Sequence, residues 1–147
     1  MNRPAARTIE EAVTRIIDTM PRPAVFVVDD DPVLRARLGD WVEEAGFRAV
    51  RIDGGRACLA ALARERPVAL VLDLEMPGLG GHDTLDFVRT ADPGLPVVAL
   101  TGARDGDCAV DLLDRGADEF LVKPVGRDRL LRALRAALRP AAYASAA

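Results

Sequence analysis

Short apolar runs alternate along this chain with longer stretches in which apolar and polar residues mix at helical spacing. In the run Val68–Leu72, five apolar residues follow one another without a polar break. Such a run is typical of a strand buried on both faces, as in a parallel sheet. The apolar runs predict five strands: Ala24–Val28, Phe47–Ile52, Val68–Leu72, Pro96–Leu100 and Glu119–Val122.

The stretches between these runs predict helices. Asp31 followed by Pro32 has the pattern of an N-cap and a first helical residue, and Gly46 is a typical helix end. Further helices are predicted from Asp53 to before Pro67, after Gly80-Gly81, over Asp105–Arg115 and over Arg127–Arg139. Strands that alternate with helices indicate a doubly wound α/β domain with a five-stranded parallel sheet. The strand order 2-1-3-4-5 is the leading topology.

The first residues predict an extra helix in front of this domain. Thr8 and Glu11 have the spacing of a capping box, and the residues that follow put an apolar stripe on one helical face. This stripe is covered either by the chain's own domain or by a second copy or partner, and the sequence leaves both open. We therefore divide the chain into an N-terminal helical extension and linker (1–23), the α/β domain (24–139) and a short alanine-rich tail (140–147).

Polar side chains stand where four of the five strands end. Asp29 and Asp30 follow the first strand, Asp73 the third, Thr101 the fourth and Lys123 the fifth. In the order 2-1-3-4-5 these strands are neighbours, so their carboxyl ends converge. Crowded carboxylates repel and need a cation, and all-oxygen ligands suit Mg²⁺. A carboxylate beside Mg²⁺ and an ammonium group can attack phosphorus, because both cations withdraw charge from the transferring phosphoryl group.

Composition narrows this picture. The formal net charge is −3, which argues against non-specific nucleic-acid binding. No apolar run is long enough to cross a membrane and no signal peptide is recognisable, so we expect a cytoplasmic protein. Cys58 and Cys108 lack metal-ligand spacing and are expected to be buried thiols. Lys123 is the single lysine among the 20 Lys and Arg residues. All the other residues of this set are arginine, so the compact ammonium group of lysine occurs only at this strand end.

Four segments together resemble the receiver domain of two-component response regulators in bacteria. They are VFVVDDDP at Val25–Pro32, VLDLEMPG at Val71–Gly78, ALTG at Ala99–Gly102 and GADEFLVKP at Gly116–Pro124. The resemblance implies a flavodoxin-like (β/α)5 fold. It also implies a signalling protein, not an enzyme, that assists its own phosphorylation and dephosphorylation. The short tail favours a stand-alone receiver.

The resemblance implies a role for each of the clustered residues. Asp73 would be the phosphoacceptor. Asp30, Asp73 and the backbone carbonyl of Glu75 would bind Mg²⁺ directly, and Asp29 would act mostly through water. Lys123 would pair with Asp73 and then with the phosphoryl group, and its bond to Pro124 would be cis.

Thr101 and Phe120 would form the switch pair of such a domain. On phosphorylation the hydroxyl group would move inward and the ring would follow, which would rearrange the face formed by the helix over Asp105–Arg115, the last strand and the last helix. Phe120 replaces the more common tyrosine, and Gly102 stands where alanine is frequent. The switch would therefore operate by packing, without a hydroxyl hydrogen bond.

The implied partners are a histidine kinase or a histidine phosphotransfer protein and a downstream protein target, with no direct contact to nucleic acid or membrane. A homodimer through the N-terminal helix or the face just described is a further expectation. Two other functions stay open. One is a receiver-like binding module that is never phosphorylated. The other is a small phosphohydrolase of the haloacid dehalogenase type, although that class has a second Asp where this chain has Glu75.

Overall fold

The computed structural model describes residues 5–102 and 113–139. Its strands are β1 (Ala24–Val28), β2 (Arg48–Ile52), β3 (Ala69–Asp73), β4 (Val97–Thr101) and β5 (Glu119–Val122). In the described ranges its helices are α1 (Ile9–Thr19), α2 (Pro32–Glu44), α3 (Gly55–Leu62), α4 (Gly81–Ala91) and α5 (Arg127–Ala137). The strands form one parallel sheet in the order β2-β1-β3-β4-β5. The predicted fold class, the strand order and the extra N-terminal helix are confirmed.

Helices cover both faces of the sheet because side chains alternate between the faces along each strand. On one face Phe26, Leu70 and Leu72 belong to the same core cluster as Cys58 of α3 and Leu85 of α4. On the other face the strands pack against α2 and α5, in a cluster that contains Val25, Val27, Val71, Leu100, Leu38, Val42, Leu130 and Leu134. This double cover explains the unbroken apolar runs of β1, β3 and β4, which are buried throughout.

Several predicted boundaries differ from the structure by one or two residues. Phe47 precedes β2, and its N–H is bound to the Val42 carbonyl at the end of α2. Pro96 precedes β4; it has no N–H to give to a ladder, although its carbonyl accepts from Leu70. The β4 strand instead reaches Thr101, and α5 ends at Ala137. The predicted helix over Asp105–Arg115 lies mostly outside the described residues, as do Cys108 and the tail 140–147.

The N-terminal helix α1 forms only the Thr8 half of the predicted capping box and stands exposed. The hydroxyl group of Thr8 accepts from the Glu11 N–H at 3.1 Å, whereas the Glu11 carboxylate accepts from the Arg7 N–H at 2.7 Å. The apolar side chains of α1 are not covered; Ile9 is 85% exposed and Ile16 is 60% exposed. Within the described ranges, therefore, the stripe of α1 is not folded back on its own domain.

Candidate functional site at the carboxyl ends of the strands

Hydrogen-bond register brings the candidate residues to one level of the sheet. Val28 pairs with Leu72, Asp73 with Leu100 and Thr101 with Val122. The polar residues therefore stand at the last position of a strand or one or two positions beyond it. The residues at this edge are Asp29, Asp30, Asp73, Thr101 and Lys123.

Asp73 is fully buried at the end of β3. Its Oδ1 accepts from the Glu75 N–H at 3.0 Å and lies 3.0 Å from the Lys123 Nζ. Burial raises the pKa of Asp73 to about 6, and the charge of Asp29 adds to the rise; the Glu75 N–H and Lys123 offset only part of it. The β3 strand thus ends in a carboxylate whose charge is incompletely compensated.

The three neighbouring aspartates differ in exposure and in the hydrogen bonds that they accept. Asp29 is buried, and its Oδ1 accepts from the Asp31 N–H at 2.9 Å. Arg35 holds the Asp29 carbonyl from the first turns of α2 at 2.9 Å. Asp31 accepts from Val33 as the N-cap of α2, as predicted. Asp30, between the two, is exposed, so its carboxylate faces solvent at the mouth of the site.

Lys123 is held over the two buried carboxylates. Its Nζ lies 3.0 Å from Asp73 Oδ1 and 3.6 Å from Asp29 Oδ2, and its backbone N–H donates to the Thr101 carbonyl at 2.8 Å. Burial alone would lower the pKa of Lys123. The hydrogen bond to Asp73 and the charges around it outweigh burial, so this pKa is raised and the ammonium group stays charged. The bond from Lys123 to Pro124 is cis.

The geometry of the aspartate cluster is suitable for binding a divalent cation. One carboxylate oxygen each from Asp29, Asp30 and Asp73 can be chosen so that all lie within 4.8 Å of one another. Asp29 Oδ2 and Asp73 Oδ2 are buried and accept no hydrogen bond within the described part of the chain. Buried anionic oxygens without donors favour a cation, and oxygen-only ligands favour Mg²⁺.

Thr101 and Phe120 stand on adjacent strands near this cluster. Thr101 is 3% exposed at the end of β4, whereas Phe120 in β5 is partly exposed and packs against the core cluster of the α3 and α4 face. Ala99, two residues before Thr101, pairs with Phe120 in the β4–β5 ladder. Thr101 and Phe120 thus occupy nearby positions on two paired strands, and the Thr101 side chain is buried whereas the Phe120 side chain is half-buried.

Sequence reasoning missed two glycine contacts that shape the site. A Cβ on Gly81 would lie 2.3 Å from the Asp73 carbonyl oxygen, so glycine lets the start of α4 pack directly on the end of β3. The Gly102 N–H donates to the Glu75 carboxylate at 3.0 Å. The Gly80-Gly81 pair and the unusual glycine after Thr101 can be seen in the sequence, but the sequence does not predict which residues these glycines contact.

The remaining predicted residues lie away from the cluster. Cys58 is buried, as predicted, and burial raises the pKa of its thiol to about 12. Three arginines on α5 are exposed, Arg129, Arg132 and Arg135, and the first two lie near Glu119 and Leu121 of β5. No helix in residues 5–102 and 113–139 combines the length and apolar character that a bilayer crossing requires.

The carboxyl edge of the parallel sheet thus carries an acid pair, a buried aspartate, a hydroxyl group and a lysine, and these are the groups that the receiver-domain resemblance of the sequence requires. The chain matches the family described as response regulator receiver domain over residues 25–135. It belongs to that family.

Relatives and solved structures agree with this assignment. The response regulator protein FleR of Pseudomonas aeruginosa is 39% identical over 107 residues, which are 73% of this chain and 23% of that protein. The DNA-binding response regulator MtrA of Mycolicibacterium smegmatis is 39% identical over 84% of this chain and 53% of its own length. The receiver domain of NtrX from Brucella abortus is 31% identical, with a TM-score of 0.74 over 78% of this chain and 97% of that domain. The chain therefore spans about a quarter to a half of the curated relatives it matches.

Proposed function

We propose that this chain is a phosphorylatable receiver of a two-component phosphorelay and that Asp73 is its phosphoacceptor. The observation that carries the proposal is the buried carboxylate of Asp73, 3.0 Å from Lys123 and beside the oxygens of Asp29 and Asp30. In this scheme residues 24–139 are the receiver, residues 1–23 are an extension and residues 140–147 are a tail. The stand-alone arrangement stays a prediction, as does the absence of direct nucleic-acid contact.

The chemistry is the transfer of a phosphoryl group to a carboxylate. An oxygen of Asp73 forms a bond to phosphorus while the phosphorus–nitrogen bond of a phosphohistidine breaks. The imidazole nitrogen keeps the electron pair of that bond and takes a proton from solvent. The donor is a histidine kinase, a histidine phosphotransfer protein or a small molecule such as acetyl phosphate, in which the phosphorus–oxygen bond to the acetyl group breaks and acetate leaves.

The charges of the site favour this transfer. Lys123 withdraws charge from the phosphoryl oxygens, and its raised pKa keeps it cationic at neutral pH. Asp30, Asp73 and the carbonyl of Glu75 would hold Mg²⁺ directly, with Asp29 acting mostly through water. When bound, Mg²⁺ supplies positive charge to the phosphoryl oxygens. The Thr101 hydroxyl group donates to another of them.

The signal leaves the site through Thr101 and Phe120. A phosphoryl group adds about two negative charges, enough to bias a local two-state element. Movement of the Thr101 hydroxyl group toward that charge opens space into which Phe120 rotates. The affected face comprises the predicted helix over Asp105–Arg115, β5 and α5, and it is the surface offered to a downstream protein.

Two surfaces are proposed for self-association. One is the exposed stripe of α1. The other is the face with β5 and α5, where the arginines of α5 would meet acidic residues such as Asp118 and Glu119 of a second copy. If α1 mediates assembly, deletion of residues 1–21 lowers the number of copies per particle, which light scattering gives from the measured mass. An unchanged number of copies rules out this role of α1.

The decisive test is intact-protein mass spectrometry after incubation with acetyl phosphate and Mg²⁺. We expect a gain of one phosphate that disappears in Asp73→Asn and in EDTA. If acetyl phosphate does not react, a histidine kinase or phosphotransfer protein serves as donor. Failure with both donors overturns the proposal and leaves the non-phosphorylated binding module. Continuous release of phosphate from small esters would instead favour the phosphohydrolase.

The switch has its own test, an amide NMR spectrum with beryllofluoride and Mg²⁺. We expect shifts in the predicted helix over Asp105–Arg115 and in β5 as well as around Asp73. Shifts confined to the Asp73 pocket would mean that the domain binds a phosphoryl mimic without transmitting it.

A further inference from the structure

Glu75 links the ends of two strands across the proposed phosphorylation site. Its backbone N–H donates to Asp73 Oδ1 at 3.0 Å, and its carboxylate accepts from the Gly102 N–H at 3.0 Å. One residue of the β3–α4 loop therefore contacts both the carboxylate that ends β3 and the first amide after β4. Glu75 is otherwise exposed, so this carboxylate crosses the site from its solvent side.

Glycine at position 102 makes this contact sterically feasible. A Cβ on that residue would lie 2.3 Å from Glu75 Oε1 and 3.0 Å from its Cδ. Any other residue would push the carboxylate away, and the push would be cheap because the Glu75 side chain is flexible and exposed. The contact of the Glu75 carboxylate thus depends on the absence of a side chain at Gly102.

The contact occupies a donor that an anion would use. The Gly102 N–H follows Thr101 directly at the carboxyl edge of the sheet, and it already binds an anionic oxygen. We propose that Glu75 is an internal competitor of the phosphoryl group, whose carboxylate must leave the Gly102 N–H before that N–H can donate to a phosphoryl oxygen on Asp73. This inference rests on the proposed function of Asp73.

Two consequences follow from the competition. The negative charge of Glu75 repels an incoming anionic donor, and the occupied amide withholds one charge-assisted hydrogen bond. Glu75 is thus a positioning residue that limits how tightly the site holds a phosphoryl group. Its side chain is distinct from the Glu75 backbone carbonyl proposed as a metal ligand, so a side-chain substitution leaves that ligand in place.

The test is a ¹⁹F NMR titration of the full chain with beryllofluoride at saturating Mg²⁺. Glu75→Ala removes the competitor, and Gly102→Ala displaces it while keeping its charge. We expect both variants to bind beryllofluoride roughly tenfold more tightly, the scale of one charge-assisted hydrogen bond. Glu75→Gln keeps an acceptor for the Gly102 N–H and should fall between wild type and Glu75→Ala.

Matched controls lie elsewhere on the surface. A Cβ on Gly54 meets no atom within 4 Å, so Gly54→Ala controls for a glycine substitution. Glu43 pairs only with Arg51 among the ion pairs of the described residues, so Glu43→Ala controls for a lost surface charge. Both should bind beryllofluoride as wild type does. In the ligand-free amide spectrum, the Gly102 resonance should move far more in Glu75→Ala than in Glu75→Gln.

The outcomes separate this inference from the proposed function. If wild type binds beryllofluoride and neither Glu75→Ala nor Gly102→Ala binds it more tightly, Glu75 is no competitor although Asp73 keeps its role. If Glu75→Gln equals Glu75→Ala, repulsion by charge is sufficient and the occupied amide is irrelevant. If no protein, wild type included, binds beryllofluoride or accepts phosphate, the function of Asp73 fails and the inference fails with it.

Discussion

Asp73 should destabilise the cation-free protein at neutral pH. Its pKa is raised from 3.8 to about 6, chiefly by burial. A carboxyl group with a raised pKa in the folded state contributes stability below pH 3.8, and this contribution is lost as the pH rises through about 6. One pKa unit corresponds to about 1.4 kcal/mol, so the loss reaches at most about 3 kcal/mol.

The perturbation that tests this is Asp73→Asn, which keeps the size of the side chain and removes the charge. In EDTA at pH 7.5 we expect the variant to be more stable than wild type by about 1–3 kcal/mol. The difference should shrink by about 2 kcal/mol on going to pH 4, because wild type then regains a neutral carboxyl group. Urea unfolding followed by circular dichroism measures both values. Added Mg²⁺ should stabilise wild type more than the variant.

A control of opposite sign is available at Asp92. The hydrogen bond from Arg66 holds the pKa of Asp92 low, so Asp92→Asn should lose stability at pH 7.5 where Asp73→Asn gains it. The reasoning about Asp73 is refuted if its variant is no more stable than wild type in EDTA. A gain that stays constant between pH 4 and pH 7.5 would refute it equally, because titration would then not be the cause.

Three further predictions concern the site and the core. Lys123→Met should slow phosphorylation by acetyl phosphate by about 100-fold, the scale of losing one electrostatic donor, as measured by intact mass over time. Arg89→Met should destabilise the fold by about 2–4 kcal/mol in urea, because Arg89 binds the carbonyls of Gly116 and Leu95 and the Asp118 carboxylate; a loss under about 1 kcal/mol would contradict this. In a Cys108→Ser variant, Cys58 should stay unreactive toward a disulfide reagent at pH 8 until urea unfolds the chain, because its thiol is buried and its pKa is about 12.

The sequence predicted what depends on local pattern. Asp73 and Lys123 were found because each directly follows or ends an apolar run, and a strand end in a parallel sheet has a known position. The strand order followed from alternation and crossover handedness. Asp31 was recognised as an N-cap because capping depends only on residues two or three positions away.

Contacts between distant segments were not predictable in the same way. Glu75 and Gly102 are 27 residues apart, and no periodicity connects a surface glutamate to the first backbone amide after the next strand. No local pattern singles out Arg89 among the arginines of the chain, yet its side chain joins the α4 end to the turn before β5. The misplaced starts of β2 and β4 have a related cause, since hydrophobicity does not reveal which N–H groups enter a ladder.

Because the sheet is rigid, the uncompensated charge of Asp73 has to be neutralised by a bound ligand. The β3 strand is buried along its whole length and is paired on both sides, so Asp73 cannot turn toward solvent without breaking the centre of the domain. Lys123 contacts Asp73 Oδ1 and leaves Oδ2 without a donor in the described ranges. A cation that binds only the folded state therefore lowers its free energy where negative charge is least compensated. The instability expected of the cation-free site and its proposed affinity for a cation have the same physical origin.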